Sequence, residues 1–278
     1  MGSMVGGRFS DMEANITLQP RRHTAWRKRV PRQYIDFMPM RWPMWLSHFA
    51  KAAPPLPSQC CVCHAWPSKD VLCCDCAKRF AHRPLRCMGC ALALPGLSPQ
   101  HPYCGACLQR PPVWQHAYAW IDYGYPWNHL ITRWKFVQQP ALAAHFARWM
   151  RQDPQVCEML DSADLVIPIP LTKERMRERG YNPAAQLARA LSPGKCALHT
   201  LQRIRHTEAQ SHLTRAQRLR NLRGAFVVAL AQRASLSGQH VILIDDVMTT
   251  GATLTTASRA LRQGGAAQIS VLCLARTP

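Results

Sequence analysis

The chain has 278 residues and 47% hydrophobic content, enough for one full-sized domain with a packed core plus one smaller unit. Thirty-five Lys and Arg against 15 Asp and Glu give a net charge of +20, spread along the chain, which attracts phosphates, nucleic acid or an anionic surface without choosing among them. No stretch nears the roughly 18 uninterrupted apolar residues of a membrane span and the amino terminus lacks the apolar segment of a secretion signal, so no stable membrane insertion and a cytoplasmic location are expected.

Residues 1–58 show no lasting period and mix Arg21, Arg22, Arg27, Lys28 and Arg29 with scattered prolines, the pattern of a basic, disordered leader. Residues 59–115 form a second segment, poor in helical pattern and rich in cysteine. Eight of the 13 cysteines fall into four Cys-x-x-Cys pairs: Cys60/Cys63, Cys73/Cys76, Cys87/Cys90 and Cys104/Cys107. Two intervening residues let a tight turn aim both thiolates at one ion, and two such turns complete a tetrahedral S4 site, so four knuckles make two zinc sites. Pairing in chain order and cross-braced pairing of first with third are both open. Cys61 and Cys74 compete for places in the first site, while His64, His82 and His101 read more simply as loop histidines. A site filled by four protein ligands has no position for water, so its expected role is folding or docking.

From residue 116 to 278 the texture becomes that of an α/β domain. Tyr118 to Tyr123 alternates like a strand; helical patterns follow near 126–137 and 140–151; Leu165 to Ile169 is an apolar strand. Further helices are expected at 171–178 and 183–191 and strands at 197–201 and 224–230. The carboxyl-terminal unit is the clearest, with the apolar strand Val241 to Ile244, a polar loop from Asp245 to Gly251, a helix to about Gly264 and a strand from Ile269 to Leu274. Strands alternating with helices predict a mainly parallel, buried sheet.

The richest chemistry lies in Asp245-Asp246-Val247-Met248-Thr249-Thr250-Gly251-Ala252-Thr253. Here a buried strand ends in two carboxylates, and a hydroxyl-rich, glycine-bearing turn opens a helix. Backbone N–H groups at a helix start, with threonine hydroxyls beside them, suit a phosphate monoester. No Gly-Lys-Ser/Thr follows, so this is not the triphosphate-binding P-loop. Two acids beside a phosphate cradle fit sugar hydroxyls and a nearby Mg²⁺, and a phosphorylated ribose satisfies both halves. The plain alternative is an ordinary strand followed by an Asp-capped helix.

This stretch resembles the 5-phosphoribosyl-1-pyrophosphate (PRPP) signature of type I phosphoribosyltransferases. From about Cys60 onward the chain resembles the ComF family, including its GntX-like members, which place a double zinc ribbon before a phosphoribosyltransferase-like domain. The match also rests on Leu130-x4-Lys135-Phe136, Ile167-Pro168-Ile169-Pro170, Arg179-Gly180-Tyr181-Asn182, Arg203, Thr207, Gln210, Arg218-x2-Asn221 and Phe226. A departure is Pro183, where the family usually has Gln. The resemblance implies that Asp245 and Asp246 hold the ribose hydroxyls, Thr249 to Thr253 the 5-phosphate, and Pro168, Ile169 and Pro170 approach the pyrophosphate. Arg179, Asn182 and Arg203 complete the expected site, Arg179 sharing the catalytic role with the two acids, and residues 203–223 would form a basic hood. It further implies a PRPP-dependent transferase with two structural Zn²⁺ and substrate-linked Mg²⁺, tied to uptake or utilisation of DNA. The competing expectation is an adaptor for single-stranded DNA or DNA-processing proteins that binds PRPP without turnover.

Overall fold

The computed structural model describes residues 58–68, 70–204 and 224–278. The expected leader, and the hood from residue 205 onward, lie outside the described residues. Pro55–Pro278 forms one compact unit.

Among the described residues a four-stranded sheet runs in the order β1 (His116–Asp122), β6 (Gln268–Arg276), β5 (His240–Met248) and β2 (Leu165–Pro168), every neighbour parallel. Successive side chains of a strand point to opposite faces, and both faces are apolar. Ile242, Ile244, Leu272 and Leu274 belong to one core layer, whereas Val241, Leu243, Val271 and Cys273 belong to the other. The first layer is covered by α3 (Trp127–Phe136), α4 (Leu142–Met150), α5 (Pro154–Ser162) and α7 (Pro183–Leu191), through Trp134, Phe146, Val156 and Leu187. The second is covered by α9 (Ala252–Gln263) and α8 (Arg233–Leu236), together with the antiparallel pair β3 (Leu201–Arg203) and β4 (Phe226–Val228). Each fully buried Leu or Ile contributes roughly 1.5–3 kcal/mol, so truncating central Leu243 to Ala costs about 2–5 kcal/mol.

Local signals explain the helix boundaries around the site. In α6 (Lys173–Arg179), Thr172 Oγ1 accepts from Arg175 N and left-handed Gly180 (φ +78°) ends the helix. Asn182 caps α7 by accepting from Ala184 N at 3.0 Å, and Pro183 takes the first helical position, where a missing N–H costs nothing. The departure at Pro183 is therefore accommodated by a helix start.

Two expectations are corrected and one helix is added. The strand expected over 197–201 begins at Leu201, because the preceding segment makes a single bridge, Cys196 beside Val166, before it turns away. Helix α5, unforeseen, is short but well started: Pro154 is its first residue and Asp153 Oδ1 accepts from Gln155 N. Most consequentially, β5 does not stop at Ile244. Asp245, Val247 and Met248 pair with Cys273, Ala275 and Arg276 of β6, so a partner strand holds the acidic pair in regular extended backbone and leaves only 249–251 as loop.

The cysteine-rich segment, with α1 (Cys74–Phe80) and α2 (Gly105–Gln109), packs into these same cores. Cys60, Leu72 and Cys76 join the first layer; Ala91 and Trp114 join the second. Ala117 N on the outer edge of β1 donates to Met88 O at 2.7 Å, which covers an otherwise open strand edge. No helix among the described residues is long and apolar enough to cross a membrane.

Candidate functional site

The sulfurs of Cys60, Cys63, Cys73 and Cys76 lie within 4.8 Å of one another, and so do those of Cys87, Cys90, Cys104 and Cys107. This grouping selects chain-order pairing and sets aside the cross-braced alternative. Cys61, Cys74 and the three nearby histidines fall outside both groups. Cys63 Sγ and Cys73 Sγ are 3.6 Å apart, Cys90 Sγ and Cys104 Sγ 3.7 Å. A tetrahedron with zinc–sulfur bonds of about 2.3 Å has edges of about 3.8 Å, while a disulfide is about 2.05 Å long, so both groups fit a metal.

The two modules repeat one local design. The residue after each first knuckle is left-handed, His64 (φ 60°) and Ala91 (φ 58°), and the backbone N–H of the third cysteine donates to the sulfur of the first: Cys73 to Cys60 at 3.3 Å, Cys104 to Cys87 at 3.2 Å. Burial pushes the Cys60 and Cys87 thiols up, but N–H donors from their own knuckles and from the facing cysteine outweigh it. The result is about 6 for Cys60 and about 7 for Cys87, whereas burial and the neighbouring thiols hold Cys76 and Cys107 above their ordinary value, so one thiol of each tetrad ionises ahead of its partners.

The second feature is a cleft of about 670 Å³ at the carboxyl end of β5, where ligands of open parallel sheets bind. Its floor carries Asp245 and Asp246. Asp246 Oδ1 accepts from Lys135 Nζ of α3 at 2.5 Å, and Asp245 Oδ1 accepts from Asp246 N at 2.9 Å. Burial pushes the Asp245 carboxyl up to about 7, neighbouring Asp246 adds to the rise, and Lys135 opposes it. Arg203 lines the wall above Phe226, its guanidinium 5.4 Å from the ring; burial, then nearby Arg175, lowers its pKa, against the pull of Asp245. At the mouth Arg179 stacks over exposed Phe136 at 4.9 Å.

Beyond the acids, Thr249 and Thr253 line the cleft. Gly251 caps the start of α9 with φ +71° and no side-chain bond of its own; Ala252 N donates to Thr250 Oγ1 at 3.4 Å, and the following N–H groups of the first turn are the donors a helix start offers to a ligand. The left-handed backbone strains any other residue at Gly251, and an added Cβ would also crowd Met248 Cε at 3.0 Å, with Trp114 Cη2 at 3.4 Å. The helix therefore starts from a glycine, not from the Asp cap of the plain alternative.

Of the residues expected at the site, the cleft gathers Asp245, Asp246, Val247, Thr249, Thr253, Ile169, Pro170, Arg179 and Arg203 in its walls. Pro168 is buried at the end of β2, and Met248 and Ala252 belong to the core, with Thr250 turned toward Ala252 N. Asn182 is not in the wall; it is buried, and its Nδ2 donates to Ile169 O at 2.9 Å, so it holds the turn that carries Ile169 and Pro170. Lys135 and Arg175 were not expected in the site. Lys135 stands in a quoted motif, but nothing at sequence level separates it from a surface lysine near a helix end.

This is the arrangement of a phosphoribosyl transferase domain, and residues 176–278 match the family model of that description. The chain belongs to the ComF family: DNA utilization protein YhgH of Salmonella typhimurium is 35% identical over 212 residues, covering 74% of this chain and 90% of that protein. Competence protein F of Haemophilus influenzae is 34% identical over 217 residues, 75% of this chain and 92% of its own. Competence protein ComFC of Bacillus subtilis is 39% identical over 118 residues, 42% of this chain and 46% of its own.

Proposed function

We propose that the cleft binds PRPP and that the chain transfers its phosphoribosyl group to a nitrogen acceptor, in the cytoplasm and in connection with the uptake or utilisation of DNA. The observation that carries this reading is the juxtaposition, across one short loop, of two carboxylates and a glycine-started helix in a cleft lined by Lys135, Arg175, Arg179 and Arg203. On this reading residues 59–115 are a structural double zinc ribbon and 116–278 the transferase domain.

In the proposed complex Asp245 and Asp246 accept hydrogen bonds from the ribose 2′ and 3′ hydroxyls. The N–H groups from Thr249 to Thr253 and the threonine hydroxyls grip the 5-phosphate, and the turn Pro168 to Pro170 meets the pyrophosphate, with Arg179 and Arg203 above it. Acidic oxygens suit a hard cation, and Mg²⁺ bound with the ligand would neutralise charge on the leaving pyrophosphate. Lys135 holds Asp246 until the hydroxyls arrive and keeps the acidic pair from repelling an anionic ligand. Displacement at C1 then depends on positioning and on fixed charge more than on a dedicated base. Screening nucleobases and amines for PRPP-dependent pyrophosphate release tests the transfer; tight PRPP binding without release from any acceptor would argue against it.

A second reading follows from the relatives named for DNA utilization and competence, together with the net charge of +20. PRPP would then regulate binding of single-stranded DNA or a DNA-processing protein without being consumed. DNA affinity that changes on adding PRPP, with the PRPP recovered intact, favours this reading.

A further inference from the structure

The second cysteine module is bonded to the rest of the fold through three successive carbonyls of its first knuckle. Met88 O accepts from Ala117 N of β1 at 2.7 Å, Gly89 O from Trp114 Nε1 at 2.8 Å, and Cys90 O from Arg276 Nε at 2.8 Å. The two side-chain donors are buried; Arg276 also reaches the last residue of β5, and Trp114 lies beside Gly251 of the loop that follows it. The Trp114 ring lies 3.4 Å from the place a Cβ on Gly251 would occupy. Arg276 Nη1 donates to Met248 O at 3.2 Å, and the next residue, Thr277, donates its N–H to the same oxygen at 3.0 Å.

The knuckle that offers these carbonyls has little freedom. A Cβ on Gly89 would stand 2.7 Å from Cys107 Sγ, so the turn lies directly against the sulfurs of its own tetrad. Closing four thiolates on one ion fixes the turn, and with it the directions of the three carbonyls. The first module is anchored elsewhere: Phe80 O accepts from Trp127 Nε1 of α3 at 2.9 Å, and its buried cysteines join the opposite core layer. Only a planar, forked guanidinium reaches two carbonyls at fixed angles, which an ammonium cannot reproduce.

We infer that Arg276 and Trp114 are positioning residues through which the knuckle Cys87–Cys90, held by its metal, fixes the end of β5 at Met248 and with it the loop 249–251. The inference rests on the reading of that loop as the phosphate grip. Metal at the second tetrad thus supports ligand binding as well as folding, whereas metal at the first does not reach the loop by this route.

The test compares full-length wild type with Arg276→Lys, Trp114→Phe and, as control, Trp127→Phe, which loses the bond to the first module. Zinc content, hydrogen exchange of the 248–253 amides without ligand, and calorimetric titration with PRPP are measured for each. Arg276→Lys and Trp114→Phe should keep two zinc ions, exchange faster over 248–253 and bind PRPP about tenfold more weakly or worse. The control should stay within about twofold of wild type in affinity, with 248–253 exchange unchanged. Wild-type exchange and affinity in both loop-side variants overturn the inference. Wild type that ignores PRPP defeats the phosphate-grip reading instead, and the exchange data still decide whether the brace holds the loop. Should Arg276→Lys not fold, Trp114→Phe alone decides, by the same two outcomes.

Discussion

Replacing Asp245 with Asn should make the unliganded protein more stable and a worse binder at once. Burial and neighbouring Asp246 push the Asp245 carboxyl from its ordinary 3.8 to about 7, so the folded state holds a proton that the unfolded chain has released. A carboxyl raised in this way favours folding fully below about pH 4, and the contribution is lost as pH climbs toward 7. Three pH units at about 1.4 kcal/mol each set an upper limit of about 4 kcal/mol. The side chain is only partly buried, so about half, roughly 2 kcal/mol, is expected at pH 8. Asn keeps the shape and an oxygen for the Asp246 N–H without that cost. For a unit of this size the melting temperature at pH 8 should rise by about 4–8 °C, and the gain should shrink as pH falls from 7. Thermal melts of both proteins from pH 6 to 8.5 measure it. Equal or lower melting of the variant at pH 8, or a gain independent of pH, would refute the electrostatic account of this strand end.

Other outcomes follow from the same geometry. Elemental analysis should find two zinc ions per chain, and Cys104→Ser should lower the melt of the whole unit because the second module shares core and hydrogen bonds with the sheet; an α/β melt unaffected by that change would show the two parts to be separable. Thr253→Val, in the cleft wall, should weaken PRPP binding about ten- to a hundredfold, while Thr250→Val, whose hydroxyl faces Ala252 N, should cost clearly less; equal losses in titration would misplace the phosphate. Wild-type affinity for PRPP should increase as pH is raised through about 7 and Asp245 ionises, a trend absent in Asp245→Asn. Nucleic-acid binding should be weak and fall steeply with salt, and sequence-selective binding at high salt would contradict a charge-driven contact.

Much of the site was legible because its signals are local. Four knuckles in close succession announced two cysteine tetrads able to hold a metal, and the run from Val241 to Thr253 announced a strand, a turn and a helix start. The helical pattern over 183–191 coincides with α7. What escaped depends on partners distant in sequence. The extension of β5 past Ile244 is imposed by β6, which supplies hydrogen bonds to residues whose own polarity suggests a loop. Lys135 meets Asp246 across 111 positions, and no local pattern near either residue records it. Chain-order grouping of the tetrads, and their burial against the sheet, likewise arise from packing that knuckle spacing leaves open. Asn182 looked like a ligand residue on its motif alone; its cap and its bond to Ile169 O give it a supporting place one layer back.

The most direct test of the central claim is calorimetric titration of the full chain with PRPP, with and without Mg²⁺, beside ribose 5-phosphate and ATP. PRPP should bind in a Mg²⁺-dependent manner, ribose 5-phosphate more weakly, ATP weakest of the three, and the double variant Asp245→Asn with Asp246→Asn should not bind PRPP. A wild-type protein indifferent to PRPP, or a double variant that binds it undiminished, would contradict the placing of a phosphoribosyl ligand at the end of β5.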